Sequence, residues 1–226
     1  YDLISIDFNT ALIQVVEKKS DYLIAKVITE GSIGSNKAVS VNRQIRMNPL
    51  TRKDEESIKI AVGFGVKHFA LSFANHLEDV QAIRHQTPKN SFIISKIESR
   101  EGIRNLEAIA DASDAILIDR GDLSREEPIE SIPLLQKHII NKAKSTETKV
   151  YVATNLLESM VTQTNPTRAE VNDIFNTLLD GADGLVLAAE TAIGNNPVGC
   201  VNMISKLMDQ FNNFNKFDTD ISKYEK

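Results

Sequence analysis

The sequence lacks the residues that several classes of protein require. Cys200 is the only cysteine among 226 residues, so the chain cannot form an intramolecular disulfide or a zinc site with several cysteine ligands. This scarcity is typical of the reducing cytoplasm, where we expect the protein to be located. No apolar run approaches the roughly 20 residues that span a bilayer, and no basic segment followed by a hydrophobic stretch begins the sequence. The sequence therefore predicts neither membrane insertion nor secretion.

An excess of positive charge is also missing. The chain has 26 Lys and Arg against 31 Asp and Glu, a formal net charge of -5, and its basic residues do not cluster. Proteins that bind nucleic acids or anionic membranes need clustered Lys and Arg to contact phosphates, so neither partner is expected. Glycine-rich motifs of the P-loop or dinucleotide-binding type are absent as well. What remains, 42% hydrophobic and 25% charged residues, predicts a globular protein with one substantial core and a small appendage.

Short apolar runs separated by polar turns characterise the first part of the chain. They alternate with turn-like sequences at residues 18–21 and 31–34. This pattern predicts small antiparallel strands with tight turns over residues 1–45.

From residue 48 onward, short apolar segments alternate with amphipathic ones. The predicted strands are 68–73, 92–97, 115–118, 149–154 and 184–189, and the predicted helices are 53–64, 77–86, 104–110, 132–144, 168–179 and 197–214. Strands this short and apolar are typical of a parallel sheet covered by helices, so residues 46–211 are predicted to have an α/β fold. Residues 212–226 are expected to form a polar C-terminal tail.

Polar side chains follow three consecutive predicted strands. Lys96 and Glu98 end the first and share a face by the two-residue period, Asp122 follows the next, and Thr154 ends the third. The carboxyl ends of parallel strands collect at one rim, where active sites lie. Two carboxylates there suit a hard divalent cation such as Mg²⁺, and Gly121 allows the backbone to approach a ligand closely.

Each of these features also has a purely structural interpretation. A Lys-x-Glu pair such as Lys96 and Glu98 is common on solvated strands, and Asp122 could be a turn residue or helix cap. Three polar strand ends in one βα series favour the functional interpretation.

Six segments resemble, in order, the motifs of the pyruvate kinase family. They are residues 94–102 (ISKIESREG), 120–123 (RGDL), 152–160 (VATNLLESM), 166–170 (PTRAE), 179–183 (LDGAD) and 190–192 (ETA). The resemblance covers nearly the whole chain. It implies the last five strands of a (β/α)₈ TIM barrel, together with a fragment of a small β-barrel lid domain at residues 1–45.

The resemblance also implies a reaction and its cofactors. The family moves a phosphoryl group between phosphoenolpyruvate and ADP in glycolysis, giving pyruvate and ATP. Glu98 and Asp122 would bind Mg²⁺ or Mn²⁺, and Lys96 would stabilise the transferred phosphoryl group. Potassium is a further implied cofactor, although its ligands are not in this chain.

The resemblance assigns substrate contacts to a second set of residues. Thr154 would lie beside the enolpyruvate carbon, with the backbone of Gly121 and Asp122 at the substrate carboxylate. Ser72 and Phe73 would also contact the substrate. The segment Gly-Ser-Asn-Lys at 34–37 matches a loop on the nucleotide side, which makes Lys37 a candidate for that role.

The chain also departs from the family's pattern. Asp119 stands where the family usually has alanine beside the substrate carboxylate, and Ala188 and Ala189 replace a Ser-Gly pair. The first barrel strands are expected on a longer chain or on a partner. The protein is also expected to be a homo-oligomer. Two alternatives stay open: a Mg²⁺-dependent lyase or decarboxylase of a pyruvate-like 2-oxo acid, and a non-catalytic truncated homologue.

Overall fold

The computed structural model describes residues 2–7, 10–35, 37–43 and 45–221. The chain divides into two compact units, Tyr1–Asn48 and Pro49–Lys226, and each is described by itself below. Asn36 of the predicted nucleotide-side loop and residues 222–226 of the predicted tail lie outside the described residues.

The first unit contains a four-stranded antiparallel sheet with the strand order β3-β2-β1-β4. Its strands are β1 (Leu3–Ile6), β2 (Ala11–Lys18), β3 (Leu23–Thr29) and β4 (Val39–Val41). Ala11 and Val15, on one face of β2, are buried, whereas β3 is exposed along its whole length. The antiparallel strands predicted for this part of the chain are therefore present, with β2 in the interior of the sheet.

The second unit contains a five-stranded parallel sheet with the order β5-β6-β7-β8-β9. Its strands are β5 (His68–Leu71), β6 (Phe92–Ile97), β7 (Ala115–Asp119), β8 (Lys149–Ala153) and β9 (Gly184–Val186). All five predicted strands are present and parallel, as predicted. Within the described residues β5 pairs only with β6 and β9 only with β8, so these two strands form the edges of the sheet.

Three strands end earlier than predicted. Phe73 after β5 has a φ of 50° and Thr154 after β8 a φ of 76°, left-handed conformations in which an extended strand cannot continue. Strand β9 ends at Val186 because Ala189 begins a helix. The predicted ends 73, 154 and 189 are thus corrected to Leu71, Ala153 and Val186.

Besides the 3₁₀ helices Ile129–Ser131 and Glu158–Val161, nine α-helices are described in the second unit. They are α1 (Arg52–Gly63), α2 (Leu77–Gln86), α3 (Arg100–Arg104), α4 (Leu106–Ala112), α5 (Arg120–Leu123), α6 (Ile132–Ser145), α7 (Arg168–Leu179), α8 (Ala189–Ala192) and α9 (Pro197–Ile221). Capping boxes begin α1 at Thr51 and α7 at Thr167, where each threonine and the acidic residue three positions later satisfy free backbone N–H groups.

Two helix predictions need correction. The helix expected over 104–110 is two short helices, α3 and α4, which meet at Asn105. The last helix does not end at Phe214 but continues to Ile221, so the segment predicted as a polar tail begins as a helix. Phe211 and Phe214 each contact the ring of Phe175 at 5.7 Å between ring centroids, which gives this helix an apolar face to bury.

The core of the second unit lies between the parallel sheet and its helices. Strand β7 is buried from Ala115 to Ile118 because side chains on both of its faces are covered. A second apolar cluster joins α7 and α9 and contains Ile174, Leu178 and Cys200. Among the residues described, none of the helices combines the length and apolar character needed to cross a membrane.

Candidate functional site

The carboxyl ends of β6, β7 and β8 lie side by side and bring the predicted residues to one rim. The parallel register pairs Lys96 with Leu117 and Asp119 with Ala153. Glu98, Asp122 and Thr154 follow these strands directly or within three residues. Because neighbouring parallel strands end at the same edge, residues distant in sequence become neighbours here.

Lys96 and Glu98 form a largely buried ion pair. The Lys96 Nζ atom lies 2.6 Å from Glu98 Oε1, and the Glu98 side chain has no exposed surface. The other oxygen, Oε2, accepts a hydrogen bond of 2.6 Å from the backbone N–H of Phe73. Oε1 is buried, and the Lys96 ammonium is the polar contact described for it.

Asp119 is a second carboxylate partner of Lys96. Its Oδ2 lies 3.1 Å from Lys96 Nζ, and its Oδ1 accepts a hydrogen bond of 2.8 Å from the Thr154 hydroxyl. The backbone N–H of Asp122 also donates to Oδ1, at 3.4 Å. Asp119 thus connects three strand ends through one carboxylate.

Three carboxylates are close enough to hold one cation. Oxygens of Glu98, Asp119 and Asp122 lie within 4.8 Å of one another. Asp122 Oδ1 accepts a hydrogen bond of 2.6 Å from Arg125. The buried Glu98 carboxylate, together with an all-oxygen ligand set, fits a hard divalent cation such as Mg²⁺.

The turn after β8 holds Thr154 in an unusual conformation. Thr154 and Asn155 both have positive φ, 76° and 57°, a backbone conformation that residues other than glycine rarely adopt. Arg120 donates to the Thr154 carbonyl from Nε at 3.1 Å and from Nη2 at 2.8 Å, and pairs with Asp173 at 2.7 Å. These contacts stabilise the turn that directs the Thr154 hydroxyl toward Asp119.

Gly121 passes close to that turn. A Cβ atom at this position would lie 2.8 Å from Thr154 Cγ2, closer than two carbons can approach. A larger residue here would therefore displace the Thr154 side chain.

The other predicted site residues occupy different surroundings. Phe73 contacts the cluster through its backbone N–H, whereas Ser72 makes no described hydrogen bond or ion pair with Lys96 or the three carboxylates and lines a cavity with Leu71 and Ile58. Lys37 belongs to the first unit, where its Nζ lies 2.9 Å from Asp7.

The charges of the cluster shift one another's pKa values. Burial lowers the pKa of Lys96, but its contacts with Glu98 and Asp119 outweigh burial and hold it above the usual value. Burial raises the pKa of Glu98 more than Lys96 and the Phe73 N–H lower it. Burial also raises the pKa of Asp119, but the contacts with Thr154 and Lys96 outweigh it and keep this pKa below the ordinary value.

A family comparison agrees with this geometry. The model of the family described as "Pyruvate kinase, barrel domain" matches residues 2–201. The chain belongs to the pyruvate kinase family.

Several pyruvate kinases are similar to the chain over most of its length. The pyruvate kinase of Thermotoga maritima is 38% identical over 210 residues, which cover 91% of this chain and 45% of the relative. That of Mycobacterium tuberculosis is 36% identical over 211 residues, 92% of the chain and 45% of the relative. That of Thermococcus litoralis is 36% identical over 210 residues, which cover 91% of this chain and 44% of the relative. The chain thus spans a little under half the length of these curated relatives.

The sequence alone did not identify two residues that contact the predicted site of this pyruvate kinase family protein. Asp119 appeared only as a departure from the family's pattern, yet it contacts Lys96 and Thr154 directly. Arg120 was not singled out, although it stabilises the Thr154 turn. Their position at the end of β7 was the available signal, because polar residues there share a rim with Lys96 and Glu98.

Glu190 lies elsewhere in the fold. Its carboxylate is buried and accepts hydrogen bonds from the backbone N–H groups of Leu157, at 2.9 Å, and Ala188, at 2.8 Å. These bonds connect the loops that follow β8 and β9, which is a structural task.

Proposed function

We propose that this protein is a phosphotransferase of the pyruvate kinase type, which moves a phosphoryl group between phosphoenolpyruvate and ADP. The observation that carries the proposal is the pairing of the Lys96 ammonium with buried carboxylates at one rim of the parallel sheet. Phosphoryl transfer depends mainly on positioning and charge neutralisation, for which such a cluster is suited. The similarity to proteins named pyruvate kinase favours this activity over a lyase or a non-catalytic homologue.

In this proposal the sheet forms the last five strands of a (β/α)₈ barrel. The first unit is then the end of a small β lid, with Lys37 on the nucleotide side. The remaining strands and the K⁺ ligands would come from residues outside this chain, and the assembled enzyme would be a homo-oligomer. Cytoplasmic location stays a prediction from the single cysteine.

Glu98 and Asp122 are the proposed ligands of Mg²⁺ or Mn²⁺. Their support is that the carboxylate oxygens lie within 4.8 Å of one another and that the Glu98 side chain is buried. Such a cation, when bound, neutralises charge on phosphate and carboxylate oxygens of the substrate.

Lys96 is the proposed catalytic cation of the chain itself. Its side chain is about four-fifths buried, and the two carboxylates beside its ammonium keep it charged. A fixed positive charge in a partly dehydrated site stabilises negative charge that spreads over the phosphoryl oxygens during transfer. Thr154 and the backbone at Gly121 and Asp122 would orient the substrate, with Ser72 and Phe73 at its edge.

Replacing Lys96 by methionine tests the proposal, because the substitution keeps the stem of the side chain and deletes its charge. We expect turnover of phosphoenolpyruvate and ADP, followed as pyruvate formation with Mg²⁺ and K⁺, to fall by about a hundred- to a thousandfold. Lys149→Met is the matched control, since Lys149 is exposed at the opposite end of β8. Near-normal turnover by Lys96→Met, or no pyruvate formation by the wild-type chain once assembled with the remaining barrel strands, would contradict the proposal.

A further inference from the structure

The Asp119 carboxylate is surrounded by three donors from three strand ends. These are the Lys96 ammonium on β6, the Asp122 backbone N–H after β7 and the Thr154 hydroxyl after β8, at 3.1, 3.4 and 2.8 Å. Both oxygens of the carboxylate face a donor. An ammonium, an amide N–H and a hydroxyl that converge in this way are the donors that a small carboxylate ligand would use.

We propose that Asp119 occupies the position of a substrate carboxylate and thereby weakens the binding of 2-oxo acids and their enol phosphates. The inference rests on the proposed function only for the identity of the competing anion. A ligand carboxylate can reach the three donors only if Asp119 moves away, and two carboxylates cannot share them without repulsion.

The surroundings of Asp119 oppose such a movement. Its side chain is 15% exposed, and both of its oxygens contact donors. The carboxylate is therefore held in place by its burial and its three donors.

The charge of the site supports the same conclusion. Three carboxylates, those of Glu98, Asp119 and Asp122, face the two cations Lys96 and Arg125. Without the Asp119 carboxylate, acidic and basic groups balance, and an incoming anion meets less repulsion. Glu98 and Asp122 each present a carboxylate at the same rim, so a cation can bind between them while Asp119 stays with its donors.

Titration calorimetry with sodium oxalate, a small dicarboxylate, tests the inference on the purified protein in the presence of Mg²⁺. We expect Asp119→Ala to bind oxalate at least about tenfold more tightly than the wild type, because the donors become free and one like charge is lost. Asp119→Asn should bind with intermediate affinity, since the amide is uncharged but fills the same space. Asp111→Ala is the control: it removes the same charge from an exposed residue on α4 and should bind oxalate like the wild type.

Manganese binding, followed by electron paramagnetic resonance without oxalate, separates this role from that of a metal ligand. We expect Asp119→Ala to weaken Mn²⁺ binding by only about threefold, the effect of removing one nearby negative charge. A loss of about tenfold or more would make Asp119 a ligand of the cation and overturn the inference, as would equal or weaker oxalate binding by Asp119→Ala. If the alanine variant does not melt cooperatively, the isosteric Asp119→Asn decides by the same criteria.

The outcome is independent of the test for phosphoryl transfer, because oxalate binding needs neither ADP nor turnover. Tighter oxalate binding in a protein that forms no pyruvate would support the inference and refute only the proposed activity. Unchanged oxalate affinity in an active enzyme would overturn only the inference.

Discussion

At the scale of single residues, Lys96 and Glu98 contribute through their burial as much as through their charge. The Glu98 carboxylate is removed from water, and a Phe73 N–H and the Lys96 ammonium compensate for the hydration it loses. A buried carboxylate without a full set of donors binds a cation more strongly than an exposed one does, because water competes less for the ion. The same burial makes these side chains sensitive to the loss of a partner.

Removing the Asp122 carboxylate should weaken binding of the divalent cation. For Asp122→Ala we expect the Mn²⁺ affinity, measured by calorimetry, to fall at least about tenfold, since one of few oxygen ligands is lost. Asp111→Ala serves as the control because Asp111 is exposed on α4. Equal Mn²⁺ binding by wild type and Asp122→Ala would exclude Asp122 as a ligand.

At the scale of elements, the site depends on where strands end. Strand β8 ends at Ala153, and the left-handed residues Thr154 and Asn155 turn the chain at the rim. Two consecutive residues in this conformation carry strain of about 1–3 kcal/mol each. The hydrogen bonds from Arg120 to the Thr154 carbonyl offset part of that strain.

Arg120→Ala should therefore destabilise the protein as well as disturb Thr154. Loss of charged hydrogen bonds from a side chain that is only 12% exposed should lower the free energy of unfolding by about 2–3 kcal/mol. Urea denaturation followed by circular dichroism measures the change. Arg120→Lys should restore only part of it, because lysine lacks the fork of N–H donors.

The control for this experiment is Arg52→Ala, which removes an arginine whose side chain is 91% exposed and pairs with Glu56 at a helix surface. We expect a change below about 1 kcal/mol there. If Arg120→Ala and Arg52→Ala have equal stability, Arg120 does not support the turn.

At the scale of the whole molecule, several carboxylates make stability depend on pH. Burial raises the pKa of Asp183, but the Lys144 ammonium and the Val150 N–H, each at 2.8 Å, together have the larger and opposite effect. The pKa of Asp183 therefore lies below the ordinary 3.8. For Glu170, burial is likewise outweighed, here by donors from Ser159 and Thr167, and its pKa lies below 4.5. Asp183 contacts residues that are distant in sequence, and Glu170 caps the beginning of α7.

The free energy of unfolding should fall as the pH is lowered through this acidic range. A carboxyl whose pKa is lower in the folded state contributes its stability above the unfolded pKa, here near 3.8, and loses it as pH falls through the folded pKa. We expect Asp183→Asn to cost about 1–2 kcal/mol at pH 7 and less at pH 3. Urea unfolding at both pH values measures this, with exposed Asp111→Asn as the control. A cost independent of pH would show that the Asp183 charge does not contribute.

The order and type of most elements follow from the sequence alone. Strands such as β6 and β7 are short apolar segments between polar ones, and a buried parallel sheet is where such segments are stable. The Lys96–Glu98 spacing likewise places both side chains on one face, whatever the remainder of the fold. Local pattern is sufficient in these cases because the property concerned is itself local.

Tertiary structure alone decided the partners of Asp119, Arg120 and Phe214. Asp119 contacts Thr154 across 35 positions of sequence, and Arg120 contacts Asp173 across 53. Phe214 packs on Phe175, a contact that no local pattern reveals. Such contacts depend on which strand ends and helices become neighbours, because hydrogen bonds and packing act over a few ångströms in space and not along the chain.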